Sequence, residues 1–383
     1  MRIGLEAKRA FHNFRGLGNY ARTLMQGLLH FAPEHQYFSY TTPYHDQRAL
    51  KWADDMQKLS KPLTIVSPAA PWALAPDLWR RFGIVGDAQR QKIDIFHGLS
   101  HELPQFSKNG KPALVVTVHD LIFMRFPQFF PWIDRQVYAW KLKHACAHAD
   151  LIVAICEQTA KDLEEFLQVS RQKIRVVYQS VGEIFEKPIA LEDKNNILQR
   201  WQLQEKKYLM MVGAYEARKN QENLIRAVAQ LKDIPPLILI GRGDRYQKFL
   251  QGLVAEYKLQ NRVRFLNDVP FIHLPALYQG ALASIYPSHF EGFGLPLVES
   301  LIVGTPVVTS KGSCFPEAAG PGAIYIGPND VDDLALAIEK IVHDDSLRNK
   351  LSLSGKEYVQ RFQSHATTRH MLEIYQEVTT IRS

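Results

Sequence analysis

The chain has 383 residues, 46% hydrophobic, 22% charged and 11% aromatic, with no low-complexity run; this excludes a disordered or fibrous protein and suits two α/β domains of about 150 to 200 residues each. No apolar run approaches the roughly 20 residues that span a bilayer, and three cysteines without CxxC spacing, Cys146, Cys156 and Cys314, argue for a reducing compartment, the cytoplasm by default, and against a disulfide framework. Net charge is +7, and residues 1–190 hold 24 of the 46 Lys and Arg but only 18 of the 39 Asp and Glu, so the N-terminal half is expected either to face an anionic partner (nucleic acid, acidic glycan, anionic membrane surface or lipid diphosphate on charge alone) or, equally, to carry an unevenly charged solvated surface.

Met1-Arg2-Ile3-Gly4-Leu5 reads as a first strand rather than as the charged and apolar parts of a secretory signal. Arg15-Gly16-Leu17-Gly18-Asn19-Tyr20 then leads into an apolar-periodic helix, Tyr20 to Phe31. Glycines at a helix start let a phosphate or an acceptor come close to the backbone, although many such turns are only turns. Short apolar runs follow at Ile93 to Phe96, Ala113 to Val118, Leu151 to Ile155 and Ile174 to Val177, with helical stretches between them. Thr117-Val118-His119-Asp120 closes the second of these, where a histidine is ordinarily a satisfied structural residue.

From Phe123 to Lys143, Phe126, Phe129, Phe130, Trp132 and Trp140 mix with Arg125, Arg135, Lys141 and Lys143. That mixture suits a membrane interface or a glycan-lipid acceptor, and equally a core rich in aromatics. Base stacking is a third use, but no recognisable nucleic-acid module accompanies it. His144 and His148 stand at i, i+4 like half of a zinc site, yet no second ligand pair is evident.

Gly182 to Asn196 is polar, contains Pro188 and lacks sustained apolar periodicity, which places a linker there and domains at 1–185 and 200–364. Strand, helix, strand resumes with Tyr208 to Val212, Leu237 to Ile240, Val263 to Leu266, Leu282 to Tyr286 and Pro306 to Thr309. Two doubly wound, Rossmann-like α/β domains facing across a cleft follow from the pattern. Asp330-Val331-Asp332 spells the metal-binding DxD, but it precedes a helix from Leu334 to Val342, so N-terminal capping accounts for the acids. The last segment, 365–383, carries Met371, Leu372, Ile374, Tyr375 and Val378 at helical spacing and is expected to return to the first domain.

The most informative stretch is Ser288-His289-Phe290-Glu291-Gly292-Phe293-Gly294-Leu295-Pro296-Leu297-Val298-Glu299. It is a glycine loop between a buried strand and a helix whose first turn accepts Pro296. Gly292 and Gly294 let the backbone approach a ligand, and the helix start offers amides to an anion or a hydroxyl. Glu291 and Glu299 are thereby set at the C-terminal edge of a parallel sheet, where carboxylates can accept bonds from the vicinal hydroxyls of a ribose and a hexose. Upstream, Val212-Gly213 runs through Glu216 to Arg218-Lys219-Asn220, two cations ahead of a helix beginning near Gln221. Alone, such a pair is more often a basic helix cap; two adjacent cations there would also neutralise a diphosphate and its growing charge as a leaving group.

The spacing Glu291 to Glu299 resembles the E-x7-E motif of the retaining family 4 glycosyltransferases with the GT-B fold, and the whole chain is similar to that pattern. The resemblance implies that Arg218 and Lys219 grip the donor diphosphate, and that Gly292, Phe293, Gly294, Leu295 and Glu299 bind the donor. It likewise implies that Gly16 and Gly18 form a first glycine-rich loop, and that Val269, in Asn267-Asp268-Val269-Pro270, sits in a base-binding loop. By the same resemblance His119 faces the donor sugar in the cleft through its ring or backbone, Asp120 fixes the turn or the imidazole, and His119, Glu291, Arg218 and Lys219 are the catalytic set. The implied reaction is a metal-independent, cofactor-free transfer of a hexose with retention, from a nucleotide diphosphate sugar to a glycan or lipid-linked glycan. Within the family the chain looks like bacterial O-antigen and capsule mannosyltransferases, so GDP-mannose is the first donor expected. The implied location is the cytoplasm or the inner membrane face, with no nucleic-acid partner. A nucleotide-sugar epimerase or hydrolase of the same fold, acting without an acceptor, and a non-catalytic nucleotide-sugar-binding subunit are the alternatives.

Overall fold

A computed structural model of the chain describes residues 1–58, 63–107 and 112–382. It divides into two compact units, Met1–Ser180 with Ser364–Ser383, and Val181–Gln363; of the C-terminal segment expected at 365–383, residue 383 lies outside the described residues.

The first unit is built on β1 (Arg2–Glu6), β2 (Gln36–Tyr40), β3 (Thr64–Val66), β4 (Ile95–Gly98), β5 (Ala113–Val118), β6 (Leu151–Ala154) and β7 (Ile174–Val176). They form one parallel sheet in the order β3-β2-β1-β4-β5-β6-β7. All six residues of β5 are buried, as a central strand covered on both faces requires. One face packs on the helix Gly16–Phe31 through Tyr20, Leu24, Met25 and Leu28, together with Met371, Ile374, Tyr375 and Val378 of the helix Ser364–Arg382. Each such side chain contributes roughly 1.5 to 3 kcal/mol on leaving water. The other face carries Trp79, Phe96, Leu142 and Leu163.

The second unit contains β8 (Leu209–Val212), β9 (Leu237–Ile240), β10 (Val263–Leu266), β11 (Ala283–Tyr286), β12 (Val307–Ser310) and β13 (Ala323–Ile326). This sheet is also parallel, in the order β10-β9-β8-β11-β12-β13. Both units are thus Rossmann-like.

One expectation is corrected. The stretch 182–196, read as a linker for its polarity, belongs to the second unit and holds the helix Glu183–Glu186 and most of the helix Leu191–Arg200. It is anchored by Phe185 on the rings of Phe271 and Tyr278, and the helix it opens is anchored further along by the buried Leu198. Strands β2, β3 and β13 escaped the sequence reading because β3 is only three residues long, β2 interleaves serine and glutamine with aromatics, and β3 and β13 lie at sheet edges.

Cys146, Cys156 and Cys314 are buried thiols, none of them in a disulfide. Among the described residues no helix is long and apolar enough to cross a membrane.

Candidate functional site

In the second sheet the strand order reverses between β8 and β11, so the loops leaving these neighbours diverge and open a crevice at their C-terminal ends. The loop after β8 carries Arg218 and Lys219 into the short turn Ala217–Lys219. Asn220, in the left-handed conformation at φ 62°, starts the helix Gln221–Gln230. The loop after β11 brings Glu291 to the same place and ends at Gly294, whose φ of +89° favours glycine, before the helix Leu295–Ile302.

Main-chain bonds tie the two loops together. His289 N donates to Arg218 O at 2.9 Å, and Asn220 Nδ2 donates to Pro287 O at 3.0 Å and Pro328 O at 2.7 Å. Arg218 Nη1 reaches Glu291 Oε2 at 2.8 Å and Phe290 O at 2.5 Å. Lys219 Nζ lies 2.6 Å from Glu291 Oε1 and donates at 2.6 Å to Tyr286 Oη, which itself donates to Glu291 Oε1 at 3.1 Å. The side chains of Arg218, Lys219 and Glu291 are only 15%, 12% and 10% exposed, so their attraction is weakly screened. Burial pushes the Glu291 carboxyl up, but the Lys219 and Arg218 charges outweigh it and hold the pKa at about 2. Burial, reinforced by Glu291, keeps the Tyr286 phenol neutral. Arg218 Nη2 also lies 3.3 Å from Glu216 Oε2, but that side chain is exposed and screened by water; in the buried part of the cluster one carboxylate faces two cations, the sign a diphosphate requires.

The backbone of Glu291 is clamped as well. Its N–H donates to Ser313 Oγ at 3.3 Å, and its carbonyl accepts from Ser313 Oγ at 3.2 Å and Cys314 Sγ at 3.3 Å. Glu299 is a different kind of acid: buried, it accepts a bond from Tyr278 Oη at 3.2 Å. Burial raises its pKa to about 7 against the opposing Tyr278 bond and Lys219 charge. The two carboxylates of the motif are therefore tuned in opposite directions.

Of the other residues expected here, Phe293 turns its ring onto Phe362, with centroids 5.2 Å apart, and so has its backbone rather than its side chain to offer a ligand. Gly292 and Leu295 are half-buried on the loop and the first helical turn. Val269, half-buried, follows β10 next to Asp268, which pairs with Arg242. Asp330 caps the helix Val331–His343 by accepting from Asp333 N at 2.8 Å, while Asp332 accepts from Gln230 Nε2 at 2.8 Å, so the DxD acids serve the fold.

In the first unit His119 follows β5 and is 2% exposed. Its Nε2 lies 2.9 Å from Leu99 O, and its Nδ1 faces Gln179 Nε2 at 2.8 Å. The carbonyl can only accept and the amide can only donate, which fixes a neutral ring protonated at Nε2. Burial, with His101 adding to it, lowers its pKa to about 3. Both ring nitrogens thus serve the fold. Tyr20 packs edge-on against the ring at 4.7 Å, and Asp120 accepts from Ile122 N at 3.1 Å, fixing the turn. Gly16 opens the helix Gly16–Phe31, with space around the position a Cβ would take, but a Cβ on Gly18 would fall 1.7 Å from Asn13 O. Gly18 is therefore required by the chain's own close approach. Tyr278, Tyr286, Ser313, Cys314 and Gln179 complete these sites and carried no sequence signal beyond, for Tyr286, its place at a strand end five residues before Glu291.

Comparison with known proteins gives the family and the fold. Residues 14–181 match the family model Glycosyltransferase Family 4, and residues 193–358 match Glycosyl transferases group 1. O-antigen chain mannosyltransferase B of Escherichia coli is 29% identical over 73% of this chain and 74% of its own length. O-antigen chain mannosyltransferase RfbU of Salmonella typhimurium is 30% identical over 59% of this chain and 60% of its own. Sucrose-phosphate synthase from Thermosynechococcus elongatus superposes with a TM-score of 0.78 at 20% identity, covering all of both chains. HepE from Anabaena in complex with UDP-glucose gives 0.77 at 18% identity over 98% of this chain and 100% of its own.

Proposed function

The chain belongs to the glycosyltransferases, a family 4 domain followed by a group 1 domain on the GT-B fold, and we propose that it moves a hexose, mannose first, from a nucleotide diphosphate sugar to a glycan or lipid-linked glycan with retention of configuration. The observation that carries the donor assignment is the Arg218–Glu291–Lys219 cluster at the switch point of the second sheet. Two preorganised cations in a weakly screened site stabilise the charge that grows on the departing diphosphate. They take the part that a divalent ion plays elsewhere, so transfer proceeds without metal.

In this reading Glu291 holds both cations in place and turns to the donor when the diphosphate takes over their charge. Glu299 accepts bonds from sugar hydroxyls, and the backbone of Gly292 to Leu295 lines the same crevice. The first unit binds the acceptor, with His119 a neutral, fixed group at its sheet edge. Retention follows if the acceptor hydroxyl attacks the face the diphosphate leaves, the departing phosphate oxygen taking its proton. Mannose as the sugar and GDP as the carrier rest on the mannosyltransferase relatives.

The test is thermal shift of the full chain with GDP-, UDP-, dTDP- and ADP-sugars in the presence of a chelator, since a ligand of the native state raises its apparent stability. Selective stabilisation by GDP-mannose supports the reading. A shift that needs Mg²⁺, or silence across the panel, overturns it.

A further inference from the structure

In the first unit the helix Trp132–His148 is apolar where it should be polar. Its inner face buries Leu142, Ala145 and Cys146, as an amphipathic helix does, but its first two turns lie open. Residues 131–140 are exposed except Arg135 and Ala139, which are half-buried. Trp132 is 65% exposed, Ile133 68% and Trp140 50%, with Val137 and Tyr138 also exposed. A second open segment adjoins it, with Trp72, Leu74, Leu78 and Phe82 exposed, Leu74 at 95%. The Arg81 guanidinium joins the two, 4.7 Å from the Trp140 ring centroid and 5.1 Å from that of Phe82.

The patch is rigidly mounted. Trp79 is fully buried and donates to Asp87 Oδ2 at 2.7 Å. Arg80 reaches Glu6 at 2.9 Å and Glu102 at 2.8 Å, and Glu102 receives Lys141 at 2.8 Å. This ion cluster locks both segments to the sheet, so the exposed rings are presented and not merely loose. Contiguous apolar surface of this kind marks an interaction site.

Charge decides between partners. Lys141 and Arg125 are held by Glu102, Asp162 and Glu165, which leaves Arg135 and Lys143 against Asp134 on the helix; in the other segment Asp77 meets Lys8 and Arg80, and Arg81 adds a third cation at the centre of the patch. A second copy of the chain docked about a two-fold axis would set these cations against themselves. Tryptophan and tyrosine among Arg and Lys match the boundary of an anionic bilayer, where the rings sit at headgroup level and the cations meet lipid phosphate.

We propose that segments 72–82 and 132–140 together form the face by which this protein docks on an anionic lipid bilayer. Docking holds the first unit at the surface, where a lipid-linked acceptor would be found.

The test is flotation of the full chain with vesicles of phosphatidylcholine containing about 30 mol% phosphatidylglycerol, at about 0.1 M salt. Wild type is expected to float, to float less at high salt and less with phosphatidylcholine alone. The double variant W132S/W140S is expected to bind at least about tenfold more weakly while keeping its thermal midpoint, since both rings are exposed. Equal flotation of variant and wild type overturns the proposal. So does a wild type that ignores vesicles and instead forms a dimer which the variant breaks. Vesicle binding is read without donor or acceptor, so it fails or holds separately from the proposed reaction.

Discussion

Lys219 Nζ stands 2.6 Å from Glu291 Oε1 although 72 positions separate the two residues, because the loops that carry them leave adjacent parallel strands on either side of the switch point. The pair sits beside the Arg218–Glu291 contact, so removing one cation leaves Glu291 still partnered.

Lys219→Ala should therefore fold and lose transfer. The expected loss in kcat/KM is about 10² to 10³, the usual consequence of deleting one preorganised group from a site of developing negative charge. Unchanged transfer by Lys219→Ala would remove the diphosphate assignment.

Glu291→Gln acts on stability instead. It leaves two buried cations without the carboxylate they share, Arg218 keeping only the exposed Glu216, at a cost of about 3 kcal/mol, visible in urea unfolding. The wild-type carboxyl titrates at about 2 when folded, below its ordinary 4.5. Its contribution is present above pH 4.5 and declines as pH falls through 2. The stability difference between Glu291→Gln and wild type should shrink over that window.

Glu299 carries the opposite sign. Its folded pKa of about 7 exceeds the ordinary 4.5, so it opposes folding increasingly as pH rises from 4.5 to 7, by on the order of 3 kcal/mol. Glu299→Gln should match wild type near pH 4 and exceed it in stability at pH 8. Sugar hydroxyls favour the ionised acid, so wild-type donor affinity should rise between pH 6 and 8. Isothermal titration calorimetry checks this, and a flat profile in wild type would exclude contact between Glu299 and the donor.

The two N-terminal glycines separate fold from binding. Gly18→Ala drives a methyl into the Asn13 carbonyl and should lower the melting temperature by several degrees. Gly16→Ala meets no neighbour and should melt like wild type. If that loop receives a phosphate or acceptor, Gly16→Ala alone raises KM.

Gln179→Leu tests how His119 is held. It removes the donor to Nδ1 and leaves a buried nitrogen unsatisfied, costing about 1 to 3 kcal/mol. Nitrogen chemical shifts of the ring should show the Nε2-protonated tautomer in both proteins, because the Leu99 carbonyl still demands a donor, with the Nδ1 resonance alone shifted in the variant.

Much of this was legible in sequence where the determinants are local. Strand β5 announces itself as six consecutive apolar or small residues, and the turn from β11 into the helix Leu295–Ile302 by Gly294 and Pro296. Arg218, Lys219, Glu291 and Glu299 could be singled out because each lies within a few residues of such a transition. Edge strands β3 and β13, and the helix Leu191–Arg200, were less legible, since short or half-exposed elements need few apolar residues.

The sequence by itself determined two parallel α/β sheets and which loops carry charge to their C-terminal edges, because hydrophobic period and glycine position act within a turn of where they occur. Only the tertiary structure decided what those charges meet. Strand order brought Glu291 onto Arg218 and Lys219 and left Glu299 with a phenol. It also engaged both nitrogens of His119 with Leu99 and Gln179, and left Trp132 and Trp140 in water while Trp79 went inside. Burial and Coulomb attraction depend on distance in space, and a residue type with its near neighbours does not contain that distance.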